Sequence, residues 1–367
     1  MAVRTLSYQD LEDILNGAAI IACGGGGPIS VGQQIIAYFK KRKKTVQLID
    51  PQEFGAKDMT CVSAFMGSPD AAADALSPKS ITSAAVAAFN ALQKSTSYQF
   101  KAVMPGEVGA GNSFVPMTVA AEKGIPVLDV DGAGRAIPSL TQVTYASHQV
   151  PVSPMVLGNT ENVVTVDVKT VELAEQIARE IVSAPDFGQD GGMAFWSMNG
   201  KTMREASIHN TMTYALNLGT ALRNAIANKQ DPVAAVINYL DGAKLLFVGT
   251  ISSSDEVTSG GFDTGRLFIK NQAGQEMIIY NQNENLMAWN TADNFPLILA
   301  PDMISFIATD GTTFTNASGD MAKVMGKEIA VIGSRARAKL RDSDYTVNAF
   351  MNTLRQLGYG GKYFKFN

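Results

Sequence analysis

Apolar positions follow two rhythms along the first half of the chain: short runs of strand length, and longer stretches with a helical period. Ser7 precedes an amphipathic stretch at 8–16 with Asp10 at the capping-box position, which predicts a helix. The apolar run 18–23 reads as a strand that meets Gly24-Gly25-Gly26-Gly27-Pro28, and a helical pattern follows over 31–41. Strands are predicted at 45–49, ending at Asp50-Pro51, and at 61–66, ending at Gly67-Ser68-Pro69. An alanine-rich helix at 81–93 precedes a strand at 101–104 that runs into Gly106-Glu107-Val108-Gly109-Ala110-Gly111-Asn112. A helix at 114–123 then leads to a strand at 126–130 and the loop Asp131-Gly132-Ala133-Gly134-Arg135. This alternation predicts an α/β N-terminal domain with a mostly parallel sheet and helices on both faces.

The second half changes character. Helices at 171–182 and 202–227 bracket a strand at 193–198. From 243 to 308 the pattern is strand-rich, with turns at Gly260-Gly261, at 271–274 and at Asp310-Gly311. That predicts an α+β, β-rich C-terminal domain, with the division placed at 1–167 and 168–367. The alanines at 71–75 are a local bias rather than a repeat.

Composition narrows the class. Charged residues make up 17% of the 367, below the roughly 25% of an average soluble protein. With 16 methionines, that deficit predicts extra buried surface and a homo-oligomer. A net charge of −4 lacks the basic footprint of a nucleic-acid partner. No apolar run approaches the ~18 residues of a membrane span, and Met1-Ala2-Val3-Arg4 lacks a signal peptide's apolar stretch. Cys23 and Cys61 are too few for a disulfide scaffold. The expectation is a cytoplasmic protein with a small-molecule substrate.

Four glycine loops, each read as following a strand, would gather on the carboxyl rim of the sheet, where open α/β sheets bind ligands. Glycine admits close backbone approach and a helix N-terminus attracts anions, so Gly24, Gly25, Gly26 and Asn112 are candidate substrate-binding residues. The tetraglycine lacks the Lys-Ser/Thr of a phosphate loop, and Ile29 breaks the dinucleotide fingerprint, so no nucleotide is expected.

Asp129 and Asp131 stand two residues apart in a strand and would share one face, with Cα atoms roughly 7 Å apart. Arg135 is their candidate partner. The arrangement reads equally as an ion cluster bracing the loop and as a proton-transfer or metal-binding pair. Glu107 is a candidate general base or a solvated loop acid. Cys23, ahead of the tetraglycine, reads as a nucleophile, a metal ligand or a small buried hydrophobe. His148 and His209 read as ligands or as satisfied packing residues, and two histidines exclude a multi-His zinc site. Cys23, Asp131 and His209 are the candidate ligands for a divalent metal such as zinc.

Taken together, Cys23-Gly-Gly-Gly-Gly-Pro28, Gly106-Glu-Val-Gly-Ala-Gly-Asn112 and Asp129-Val-Asp-Gly-Ala-Gly-Arg-Ala-Ile-Pro138 resemble the S-methyl thiohydantoin desulfurase-like family, whose members are often encoded beside hydantoinase-type enzymes. The likeness continues through Tyr280-Asn-Gln-Asn-Glu-Asn285 and Ala300-Pro-Asp-Met-Ile304 and so covers nearly the whole chain. It implies an N-terminal and a C-terminal family domain, and hydrolysis of a sulfur-substituted hydantoin ring.

On this basis the first expectation is a hydrolase of a hydantoin-like or S-methyl thiohydantoin ring. Water activated by Glu107 or by a bound metal would attack the sulfur-bearing carbon. Glycine-loop N–H groups or Asn112 would stabilise the developing charge, and Arg135 would hold a substrate carboxylate or ring oxygen. Asp129 and Asp131 would order the site or bind the metal. The alternatives are a nucleotide- or cofactor-binding α/β enzyme, and a non-catalytic partner subunit of a hydantoinase-type complex.

Overall fold

Side-chain caps begin several helices: Ser7, as the sequence predicts, and also Ser77 and Thr170 accept from the backbone N–H of Asp10, Ser80 and Leu173. The computed structural model describes residues 3–67, 77–184, 187 and 190–367. Its first half contains β1 (Val3–Leu6), α1 (Tyr8–Ile21), α2 (Ile29–Arg42), β2 (Val46–Ile49), β3 (Met59–Gly67) and α3 (Pro78–Thr96). These are followed by β4 (Phe100–Pro105), α4 (Phe114–Lys123), β5 (Val127–Leu128), β6 (Val130–Asp131), β7 (Met155–Gly158) and β8 (Val163–Val166). Next come α5 (Val171–Ser183), β9 (Asp190–Asn199), β10 (Ile208–His209) and α6 (Thr211–Ala227). The remaining strands are β11 (Lys244–Ser259), β12 (Phe262–Lys270), β13 (Glu276–Gln282), β14 (Glu284–Asn290), β15 (Phe295–Leu299), β16 (Met303–Ala308) and β17 (Glu328–Ser334). Helix α7 (Asp344–Gln356) lies near the C-terminus.

The first sheet has eight strands in the order β1-β2-β5-β4-β3-β9-β7-β8. It is mixed rather than mostly parallel. The central β2, β5, β4 and β3 are parallel to one another, and every pairing outside them is antiparallel. Parallel neighbours need a long crossover, which α3 and α4 provide; β7 and β8 are joined by a short turn and pair antiparallel. Strand β9 is inserted between β3 and β7, so this sheet takes strands from both sides of residue 167.

The strand-rich region forms a second, seven-stranded antiparallel sheet, β15-β14-β13-β12-β11-β17-β16. β14 and β15 also touch β16, so this sheet curls back on itself. The β11–β12 hairpin turns at Gly260 and Gly261, both with positive φ, as their position in the sequence predicts.

Two predicted elements change type. The segment 18–23, expected as a strand, mostly continues α1, because α1 packs against α6 and needs apolar residues around more of its circumference. Glycines permit that approach: a Cβ on Gly17 would lie 1.9 Å from the carbonyl oxygen of Ala215, and one on Gly219 would lie 1.8 Å from that of Asp13. The helix expected over 202–227 is interrupted. Ile208 and His209 pair antiparallel with Asp131 and Val130, and Asn210 turns through φ 61° before α6 begins, so His209 sits on a strand. No helix among the described residues is long and apolar enough to cross a membrane. Ser68 and Pro69 of one predicted glycine loop, Asp70, and the alanines at 71–75 lie outside the described residues.

Candidate active site

The tetraglycine follows a helix, not a strand, yet it reaches the glycine loop after β4. Gly26, at φ 71°, accepts through its carbonyl from the N–H groups of Gly111 (2.9 Å) and Asn112 (3.0 Å). A Cβ on Gly26 would lie 2.5 Å from the Cα of Gly109, so the two backbones meet with no room for a side chain. Gly25 presses on Glu284, whose Oε1 would lie 1.9 Å from an added Cβ. The chain's own carboxyl groups occupy the donors that a phosphate would use. Glu284 accepts from the N–H of Gly26 (3.3 Å), and buried Asp320 accepts from Ile29 N at the start of α2 (2.9 Å).

Beside this junction lies a cavity of about 110 Å³. Its floor is Gly26, Gly27, Gly106, Glu107 and Asn112, and one side is the segment 137–140. Phe65 and Met66 from β3, and Met193, Phe195 and Trp196 from β9, form an apolar wall. Glu175 and Arg179 from α5, and Asn283 and Glu284 at the start of β14, complete it, so both sheets contribute.

Two buried carboxyls share this cavity. Glu107 accepts from Asn112 Nδ2 (2.6 Å) and from the N–H of Ile137 (2.7 Å). Burial pushes its pKa up to about 7 against those two hydrogen bonds and the nearby Arg135 and Arg179 charges, which favour the anion. Glu284 has one long hydrogen bond, from Gly26, and its Oε2 is buried without a partner. Burial, and then the neighbouring Glu107 charge, raise its pKa well above the ordinary range. Glu107, with two short hydrogen bonds, is the more readily ionised of the two, and Glu284 is held more strongly in its protonated form. Arg179 is fixed on the wall by Glu175 Oε1 (2.7 Å) and the carbonyls of Gly261 (2.7 Å) and Pro138 (2.8 Å), and it lies over the ring of Phe262.

Family models for the S-Me-THD-like N-terminal domain and C-terminal domain match residues 9–168 and 169–350. The chain belongs to the S-Me-THD-like family. A protein from Chromobacterium violaceum, solved by X-ray crystallography, is 31% identical with a TM-score of 0.84, over 99% of this chain and 100% of its own. No curated protein matches.

In this S-Me-THD-like protein the predicted site residues divide into two groups. Glu107, Gly26 and Asn112 face the cavity. Gly24 and Gly25 lie behind it, Gly24 accepting from the N–H of Asn316 (2.7 Å). The expected Asp129–Asp131–Arg135 cluster does not form. Asp129 caps α6 from outside, accepting from the N–H of Met212 (2.8 Å) and Thr213 (3.1 Å) and from the Thr213 hydroxyl. Asp131 folds back on its own loop, both oxygens accepting from Gly134 N, and burial pushes its pKa up to about 8. Arg135 is fully buried and commits four of its five N–H donors to the carbonyls of Ala136, Pro301, Asp302 and Asn285, so it presents no exposed fork to a substrate carboxylate. In each case a nearby backbone group outcompetes the expected ionic partner, because buried polar backbone must be satisfied first.

The expected metal ligands do not converge either. Cys23 is a buried thiol whose pKa is raised by desolvation, its Sγ 3.5 Å from the carbonyl of Ile21. His209 Nε2 bonds the carbonyl of Arg204 (2.9 Å), and Asp131 is bound to Gly134. No group of three or more His, Cys, Asp or Glu side chains poised for a metal occurs among the described residues. His148 bonds the carbonyl of Thr144 (2.8 Å).

Glu284, Arg179, Glu175 and Trp196 are among the wall residues that escape a reading of the sequence. Only Glu284 carries a signal there, inside Tyr280-Asn-Gln-Asn-Glu-Asn285. Glu175 and Arg179 look like an ordinary helical i,i+4 pair, and Trp196 like core.

Proposed function

We propose that the protein is a hydrolase of S-methyl thiohydantoin-type rings, exchanging the sulfur substituent for water. The observation that carries this reading is the Glu107–Glu284 pair, two buried carboxyls on one cavity, of which Glu107 has two short hydrogen bonds and Glu284 a single long one, so that Glu107 ionises first. Family membership supports the ring chemistry. Ionised Glu107 takes a proton from water as its oxygen bonds to the sulfur-bearing ring carbon. The carbon–sulfur bond then breaks, and Glu284 gives its proton to the departing thiolate. The products are the hydantoin and methanethiol, and a proton passing from Glu107 to Glu284 restores the starting state. Arg179 places a fixed positive charge on the wall as negative charge develops on the ring.

The same reading places the enzyme in the cytoplasm, supported by two buried cysteines that are both free. It also makes the protein a homo-oligomer, supported by its low charged content and by exposed Leu245, Val257 and Phe295.

Purified protein is incubated with S-methyl thiohydantoin while free thiol is monitored. Thiol release is expected from the wild type, and about a hundredfold slower release from Glu284→Gln. No release from metal-replete wild-type protein refutes the substrate assignment.

A further inference from the structure

Strand β9 does not run evenly past β3. Phe195 pairs with Val62 and Met198 with Thr60, so three steps of β9 oppose two of β3, a bulge at Trp196-Ser197. Trp196 takes φ 45°, a left-handed conformation that bulky side chains rarely adopt. In an even strand, neighbouring side chains point to opposite faces. Here Phe195 and Trp196 both line the cavity, with ring centroids 4.5 Å apart and planes 31° apart, and Tyr145 packs 5.3 Å from the indole.

Trp196 is fully buried, and its Nε1 has no hydrogen-bond partner. The indole N–H is a donor only, and a buried donor without an acceptor is unfavourable. A strained backbone and an unmet donor therefore coincide in one residue on the wall of the candidate active site. Bulges that re-aim a side chain are common beside active sites.

We propose that Trp196 is a substrate-binding residue whose indole N–H donates a hydrogen bond to a ring carbonyl of an uncharged, planar lactam. The bond would be made to the carbonyl that desulfurisation leaves untouched, so Trp196 would select rings that carry one. This rests on the hydrolase reading for the identity of the ring.

The test uses the full chain and two probes: hydantoin, and imidazolidin-2-one, which lacks that carbonyl. The chain has two tryptophans, so Trp289→Phe assigns the two indole signals in the ¹⁵N-labelled protein. Saturating hydantoin is expected to move the Trp196 Nε1–H signal downfield. Trp196→Phe is expected to weaken hydantoin roughly ten- to hundredfold while changing imidazolidin-2-one little. An unmoved Trp196 signal, or equal losses for both probes, overturns the proposal. If Trp196→Phe fails to fold, the wild-type signal decides alone. Thiol release with an unmoved signal leaves the hydrolase standing without this contact. A moved signal without thiol release does the reverse.

Discussion

Replacing Glu107 by Gln separates a catalytic carboxyl from a structural one. The native carboxyl keeps its proton up to about pH 7, whereas the unfolded chain releases it near 4.5, because burial outweighs the bonds from Asn112 and Ile137. Native protein thus binds the proton more tightly. Its contribution to stability is complete below about pH 4.5 and is lost as pH rises through 7. The loss by pH 8.5 amounts to about 3 kcal/mol. Gln fills the same space and accepts from Ile137 N, while a flipped Asn112 amide accepts from its Nε2. Glu107→Gln should therefore be no less stable than wild type at pH 8.5, and more stable by up to about 3 kcal/mol. Urea unfolding at pH 5 and pH 8.5 measures this: the variant should lose less stability between the two than the wild type, by up to about 3 kcal/mol, while the losses from Asp131 and Glu284 remain in both. Thiol release should fall by about 10²–10⁴ in the same variant. A variant that is markedly less stable at pH 8.5, with thiol release reduced only in proportion to the unfolded fraction, would make Glu107 a brace and refute the reasoning.

Gly26→Ala should cost more than about 2 kcal/mol, since its Cβ would meet the Gly109 backbone at 2.5 Å in a left-handed conformation. Gly274→Ala, also at positive φ but with nothing within 4 Å, should lose only about 1–2 kcal/mol; equal losses in thermal melts would remove the argument for interlocked loops. Asp129→Ala removes the cap of α6 and should cost about 1–2 kcal/mol while leaving thiol release per folded molecule unchanged. Activity that collapses in a folded Asp129→Ala protein would return that carboxyl to the chemistry.

What the sequence by itself determined is local. Ser7 with Asp10 begins α1, Gly260-Gly261 turns the β11–β12 hairpin, and α4 occupies 114–123, because capping, positive-φ turns and apolar periodicity depend on neighbouring residues. The motif strings likewise carry the family, and three of the site residues predicted from them, Gly26, Glu107 and Asn112, line the cavity. Tertiary structure decided everything that depends on a distant partner. Residues 18–21 are helical because α6 covers them, and β9 makes the first sheet mixed by entering between β3 and β7. Asp129, Asp131 and Arg135 look like a cluster in sequence, but distant or adjoining backbone groups claim each of them. Glu284, 177 positions beyond Glu107, meets it only because the curled second sheet brings the start of β14 against the tetraglycine loop. A carboxyl's protonation follows its burial and its partners, and both are properties of the packed molecule.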